Sequence, residues 1–339
     1  ISVTEANEIA ANTNKVTASL ATGDLASFSG LTETVNDYTI TVNNSGSESV
    51  ADLLALTGKT VGTVTLQNAA TISGNASDLT ALLVTDGSKV ILAAGSSVDV
   101  TEAVSASVGA DMVAAVGSLS GATISFTGGI SDSLAKLADA GSPTSETTAI
   151  VGADADVAIV INDASGTLQA ADLAAVGGAT TGTVEVTGAV NIEGNVAEMK
   201  AALITPATEI TSNNLGSTTN VVDSSSAIQA EIDNVGTDPS TTLLGLASGI
   251  DTSDDLAVEL TVAEAGDIAA ALDDGYVLKD DVTALSGAAA TIVANALSIE
   301  VTDATVQATS LTNIASNATG VVDATSVTGL TGTSGEISA

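Results

Sequence analysis

The chain has 339 residues, 41 acidic against six lysines, and a formal net charge of −35, with no Arg, His, Cys or Trp. Those absences remove the histidine base of a Ser-His-Asp triad, the thiol nucleophile, disulfides, thiolate metal sites and the arginine fork. The charge disfavours nucleic acid and anionic membrane surfaces, and 45% hydrophobic residues with only 1% aromatic ones point to thin layers of Ala, Val, Leu and Ile rather than to disorder.

Short alternating runs at 15–20, 38–42, 63–66 and 89–92 combine period-two patterning with β-branched residues and predict strands. Helical phrases are expected to follow three of them, at 23–28, 49–56 and 75–83, with Ser, Asn and Asp in capping or first-turn positions. The segment Asp52-Leu53-Leu54-Ala55-Leu56-Thr57-Gly58-Lys59-Thr60-Val61-Gly62-Thr63-Val64 returns 120 residues later at 172–184, and Gly74-Asn75 returns as Gly194-Asn195. A longer offset of 259 aligns Val3-Thr4-Glu5-Ala6 with Val262-Ala263-Glu264-Ala265, and 72–79 aligns with 330–337 at 258. A third copy of the opening motif reads Val100-Thr101-Glu102-Ala103.

One strand and one short helix per unit of roughly 20–29 residues is the signature of a solenoid. The expected fold is an elongated α/β solenoid: a β-solenoid of parallel strands with short helices in many coils, running as one continuous repeat array over 1–339. Its internal units fall at about 1–100, 101–204, 205–259 (divergent and rich in Ser, Thr and Asn) and 260–339, the repeat of 1–79. The alternative is a string of tandem β-sandwich modules. Those carry a buried aromatic and purely alternating strands, which the Asp-Leu-x-x-Leu helical phrases oppose. Ile1 is not an initiator Met and 335–339 show no recognisable terminus, so the chain reads as a stretch of a longer polypeptide or a processed product.

The phrases Leu53-Leu54-Ala55-Leu56-Thr57-Gly58-Lys59-Thr60 and Ala324-Thr325-Ser326-Val327-Thr328-Gly329-Leu330-Thr331-Gly332-Thr333 resemble repeats of giant cell-surface proteins of marine picocyanobacteria. In those, leucine-x-x-leucine-x-glycine-lysine-threonine and threonine-leucine-threonine-glycine-threonine recur many times. The resemblance is strongest around 38–83 and 297–339, and 205–255 departs from it. It implies an extracellular or cell-surface, structural or motility-associated protein without assigned catalytic residues.

Carboxylate clusters are the remaining candidates for chemistry. Asp154 with Asp156, Asp251 with Asp254 and Asp255, Asp273 with Asp274, and Asp280 with Asp281 offer the oxygen ligands that a hard cation such as calcium takes. No EF-hand loop or calcium-binding glycine-rich nonapeptide accompanies them, so a solvated acidic turn is the plainer account. A glycosidase carboxylate pair would lack supporting Arg, Trp and His. No catalytic or cofactor site and no membrane insertion are expected. The function these features point to is a non-catalytic spacer or self-assembling fibre segment. Its partner would be itself, end to end or laterally, or other surface components. The alternative is a calcium-dependent adhesin or surface-layer binding module.

Overall fold

The computed structural model describes residues 1–85, 89–119, 121–204, 219–234 and 243–338, and the backbone of 210–212. Parts of the Ser/Thr/Asn-rich stretch 205–259, namely 205–209, 213–218 and 235–242, lie outside the described residues.

The strand Asp37–Val42 shows how local sequence becomes packing. Tyr38, Ile40 and Val42 point inward and are buried, while the alternate residues face outward. Parallel pairing puts Ile40 opposite Val64 and Val64 opposite Val90, so like residues stack on like. Thr17–Ser19, Asp37–Val42, Val64–Leu66 and Val90–Ile91 form the first four-stranded sheet.

Many repeats also carry a second strand, which the sequence does not announce. Gly46–Ser49, Ala70–Gly74, Ser97–Val100 and Thr123–Ser125 make a second parallel sheet. Their Ser, Thr and Gly content hides a one-residue-in-two apolar ladder. A third sheet contains Ile130–Asp132, Ile159–Ile161, Val184–Val186 and Ile210–Ser212, and a fourth contains Thr167–Gln169, Asn191–Gly194, Thr219–Asp223 and Gly249–Thr252. A fifth has Val258–Leu260, Tyr276–Asp280, Ser298–Val301 and Val321–Asp323, and the sixth pairs Thr305–Gln307 with Gly329–Thr331. Partners lie about 18 to 29 residues apart in sequence, the spacing of one repeat.

The pairing frame steps sideways twice. Thr123–Ser125 opens its repeat yet pairs with Ser97–Val100, a second strand, and Val104 bridges Ile130 to begin the next sheet. Gly249–Thr252 repeats the step on Thr219–Asp223. The one antiparallel pair among the described strands is the hairpin Ala138–Asp139 with Ser142–Pro143. Its Ala140 and Gly141 have φ of 50° and 74°, as a two-residue turn with both central residues left-handed requires.

The fold is thus a repeating parallel α/β arrangement. Antiparallel sandwich modules, the alternative raised by the sequence, do not occur among the described residues. The described residues fall into two compact units: 1–164 with 175–188 and 210–212, and 165–174 with 189–204 and 219–338.

Helices close the repeats, since parallel strands need a crossover. Val50–Thr57 and Ala76–Thr80 occupy expected positions, but 25–28 is a 3₁₀ turn and 81–85 a π-helical one. The third copy of the opening motif ends a strand; the helix there starts later, at Ala106.

Both duplications extend to the caps. Ser2 and Glu5 form a capping box on Val3–Ala10, and Thr261 and Glu264 form the same box on Val262–Ile268. Asn75 and Asn195, 120 residues apart, each cap a helix.

The glycine-lysine-threonine phrase has a mechanical role in the first unit. Thr60 is buried, and its Oγ accepts the N–H of Tyr38 at 2.8 Å and of Gly62 at 2.9 Å. Thr180 does the same 120 residues on. Its hydroxyl donates to the Val157 carbonyl at 2.7 Å and accepts the Gly182 N–H at 2.9 Å. Each threonine ties its repeat to the strand entry of the one before, and the glycine two residues on lies against that strand's backbone.

Candidate functional site

An α-helix starts with N–H groups that have no intrahelical acceptor. In six helices among the described residues a carboxylate from the following repeat takes one of them, and in most of these the helix's own cap residue takes another. Ala106 N–H donates to Asp132 at 3.1 Å, Leu134 to Asp163 at 2.7 Å, and Val196 to Asp223 at 3.1 Å. Ser225 donates to Asp254 at 3.1 Å, Val262 to Asp280 at 3.0 Å, and Val282 to Asp303 at 2.5 Å. In the first repeat Asn44 replaces the aspartate, accepting Leu25 N–H at 2.7 Å.

Asp132, Asp223 and Asp280 use their second oxygen to accept the amide of the residue that follows, at 2.9, 2.7 and 2.8 Å. One carboxylate therefore bridges two consecutive repeats. Negative charge at a helix N-terminus is favourable, so these six aspartates staple repeat to repeat. Asp132, Asp163, Asp223 and Asp303 were not singled out from sequence. The signal that marks three of these bridges is Asp followed by Ser or Asp at a strand end: Asp132-Ser133, Asp223-Ser224 and Asp280-Asp281.

Replacing Asp280 with Ala removes the acceptor of two amides. It is expected to cost about 1–2 kcal/mol in urea unfolding, against at most about 0.5 kcal/mol for Asp267→Asn on the exposed helix face. Equal effects of the two would refute the bridging role.

The predicted cation clusters meet different fates. Asp280 is a bridge, Asp281 caps Val282–Gly287 through Ala284 N–H at 2.8 Å, and Asp254 holds the Ser225 amide and hydroxyl. Partial desolvation raises the Asp254 carboxyl, but the Ser225 hydroxyl and amide more than offset it and leave it below its ordinary value. Asp154 accepts the Phe126 N–H at 2.6 Å, and Asp156 is exposed. Burial pushes the Asp154 carboxyl up, the Phe126 amide pulls it down, and the neighbouring Asp156 helps keep it raised.

Two clusters separated in sequence come together. Burial first, then the charges of Asp274, Asp273 and Asp255, push the Asp251 carboxyl up. Asp274 is held by the Thr252 N–H at 2.9 Å, with the Thr252 hydroxyl 2.7 Å away. Among the described residues no group of three or more Asp or Glu is arranged to hold a metal ion.

Because the Asp251 carboxyl is raised by folding, its stabilising contribution is full below the unfolded aspartate value. It is lost as pH rises through the folded one. Asp251→Asn is therefore expected to raise the melting temperature by about 2 °C near neutral pH and to lose that gain below the ordinary aspartate range. A lowered melting temperature at neutral pH would refute the repulsion.

The first and last repeats depart from the repeat pattern in what they bury. Leu330 and Ile337 are 46% and 48% exposed, whereas their counterparts Ile72 and Leu79 are fully buried at 0%. At the other end Ile1 and Ile9 are 41% and 43% exposed, against 1% for Leu260 and 1% for Ile268. Val321–Asp323, Gly329–Thr331 and Thr17–Ser19 are edge strands of their sheets.

In the first unit a groove of about 490 Å³ opens between the 3₁₀ turn Leu25–Phe28 and the helix Val50–Thr57. Leu25, Phe28 and Leu56 form its apolar wall, and Glu48, Asp52 and Lys59 also line it. No helix of the described residues is long and apolar enough to cross a membrane. No family model, curated protein or solved structure significantly matches this chain.

Proposed function

We propose that the chain is a non-catalytic structural segment of a repetitive extracellular surface or filament-forming protein. Its repeats wind as an elongated solenoid, and copies add end to end. The observation that carries this is the repeat itself: parallel strands pair each repeat with the next by the same contacts, so a further repeat can add in the same way. Positions buried by a neighbouring repeat inside the array are exposed in the first and last repeats; the edge of Thr17–Ser19 is partly covered by Ile1, whose amino group donates to the Ser19 carbonyl at 2.9 Å.

A face built to receive a repeat is best covered by another repeat, and the occupant assigned here is the first repeat of a second copy. Parallel strand addition is head to tail, so contact of a last repeat with a first does not close and generates strings. The charge sets the condition. At −35 per copy repulsion is long-ranged in dilute buffer, and the screening length falls from about 30 Å at 0.01 M salt to about 3 Å at 1 M. Association is therefore expected to rise with salt. Sedimentation velocity at the two ionic strengths tests it: growing species at high salt support the reading, and an unchanged monomer at both sinks it.

A further inference from the structure

The interior column of the second sheet places Glu48 opposite Ile72, Ile72 opposite Val98, and Val98 opposite Ile124. The equivalent position 120 residues on is Leu168, opposite Ile192; the one 258 residues on is Val306, opposite Leu330. These counterparts are aliphatic; the next residue along, Thr219 opposite Ile192, is a buried hydroxyl, and only Glu48 places a carboxylate in such a column. Glu48 is 8% exposed, and among the described residues it has no hydrogen-bond or ion-pair partner. Among the described residues the fully buried polar atoms without a partner are Asn36 Nδ2 and Tyr38 Oη, not the Glu48 oxygens, so the carboxylate keeps contact with solvent, and nothing in the packing of the column requires a charge there.

That carboxylate lines the groove together with the Leu25, Phe28 and Leu56 wall. Lys59 lines it too and forms no ion pair with Glu48 or Asp52 among the described residues. A partly apolar cleft with a carboxylate in its wall is the composition of a small-ligand site, and its volume lies within the usual range of about 300–1,000 Å³. The complement to a carboxylate beside an aromatic and two leucines is a positively charged nitrogen on an apolar body.

We infer that this groove is a binding site for a small organic cation, an ammonium carried on an aromatic or aliphatic group, with Glu48 as the charge partner. The site does not depend on end-to-end stacking. Asp52 is exposed at the rim, and its charge assists entry more than it holds the ligand.

The test titrates the full chain with phenethylammonium chloride in high salt, which suppresses diffuse attraction to the acidic surface. The expected result is saturable one-to-one binding, no binding of phenylacetate, at least about tenfold weakening in Glu48→Gln, and no change in Asp111→Asn on a distant exposed surface. Glu48→Ile, which restores the residue type of the other repeats, is expected to abolish binding and raise the melting temperature by a few degrees. No saturable binding up to about 10 mM would overturn the inference. So would equal binding by Glu48→Gln, or a lowered melting temperature in Glu48→Ile, which would make the carboxylate structural.

Discussion

Alanine in place of Gly182 is expected to destabilise the chain by about 3 kcal/mol or more, while alanine in place of Gly266 is expected to be neutral or stabilising by up to about 1 kcal/mol. Both are single methyl additions, so the difference isolates geometry. A Cβ on Gly182 would sit 2.3 Å from the Asp156 carbonyl oxygen and 2.5 Å from that of Val157, whereas one on Gly266 meets nothing within 4 Å. The atoms in the way are backbone of the preceding repeat and cannot turn aside as a side chain would. The only relief is to separate the two repeats, which stretches the Thr180 bond to Val157 and the strand pairing of Ile159 with Val184. Urea unfolding of the two variants checks the prediction, and comparable stabilities would show that the repeats are not closely spaced there. Gly62 stands in the same relation to Tyr38, whose carbonyl oxygen would lie 2.5 Å from its Cβ.

Charging the last repeat is expected to remove association without unfolding the chain. Leu330→Asp with Ile337→Asp places two carboxylates on a face that a neighbouring repeat would desolvate, and an unpaired buried charge is costly. Both residues are about half exposed in the chain itself, so little of its own packing is lost, and the melting temperature at low salt should stay within about 2 °C of the parent. Salt-dependent growth in sedimentation should vanish. The same pair of substitutions at Ile72 and Leu79, which are fully buried, should instead unfold the repeat.

The sequence showed more of the fold than of its chemistry. Strands such as Asp37–Val42 announce themselves because Tyr38, Ile40 and Val42 alternate with Thr. Their partners at Gly46–Ser49 and Ser97–Val100 do not, because Ser, Gly and Asp stand at the outward positions, the inward residue of the first is Glu48, and only Val98 and Val100 carry the signal in the second. The duplications at 120 and 259 residues were legible as letters, and the caps at Asn75 and Asn195 and at Ser2 and Thr261 give them physical content.

The acidic residues were read as isolated turns because their partners lie a whole repeat away. The Asp223 bond to Val196 and the Asp280 bond to Val262 join positions that no local pattern connects. For the same reason Asp251 and Asp274, more than twenty residues apart, gave no hint that they share one neighbourhood. Glu48 was legible only in register. In sequence it is one more surface-like glutamate, and opposite Ile72 it becomes an interior charge.

Electron microscopy of the full chain in about 1 M salt tests the central claim most directly, that the end faces receive repeats as the internal ones do. The account predicts strings of stacked copies of uniform width, whose length grows with protein concentration and which are absent from the Leu330→Asp, Ile337→Asp variant. Single particles at every concentration, or side-by-side clusters that the variant forms equally well, would contradict it.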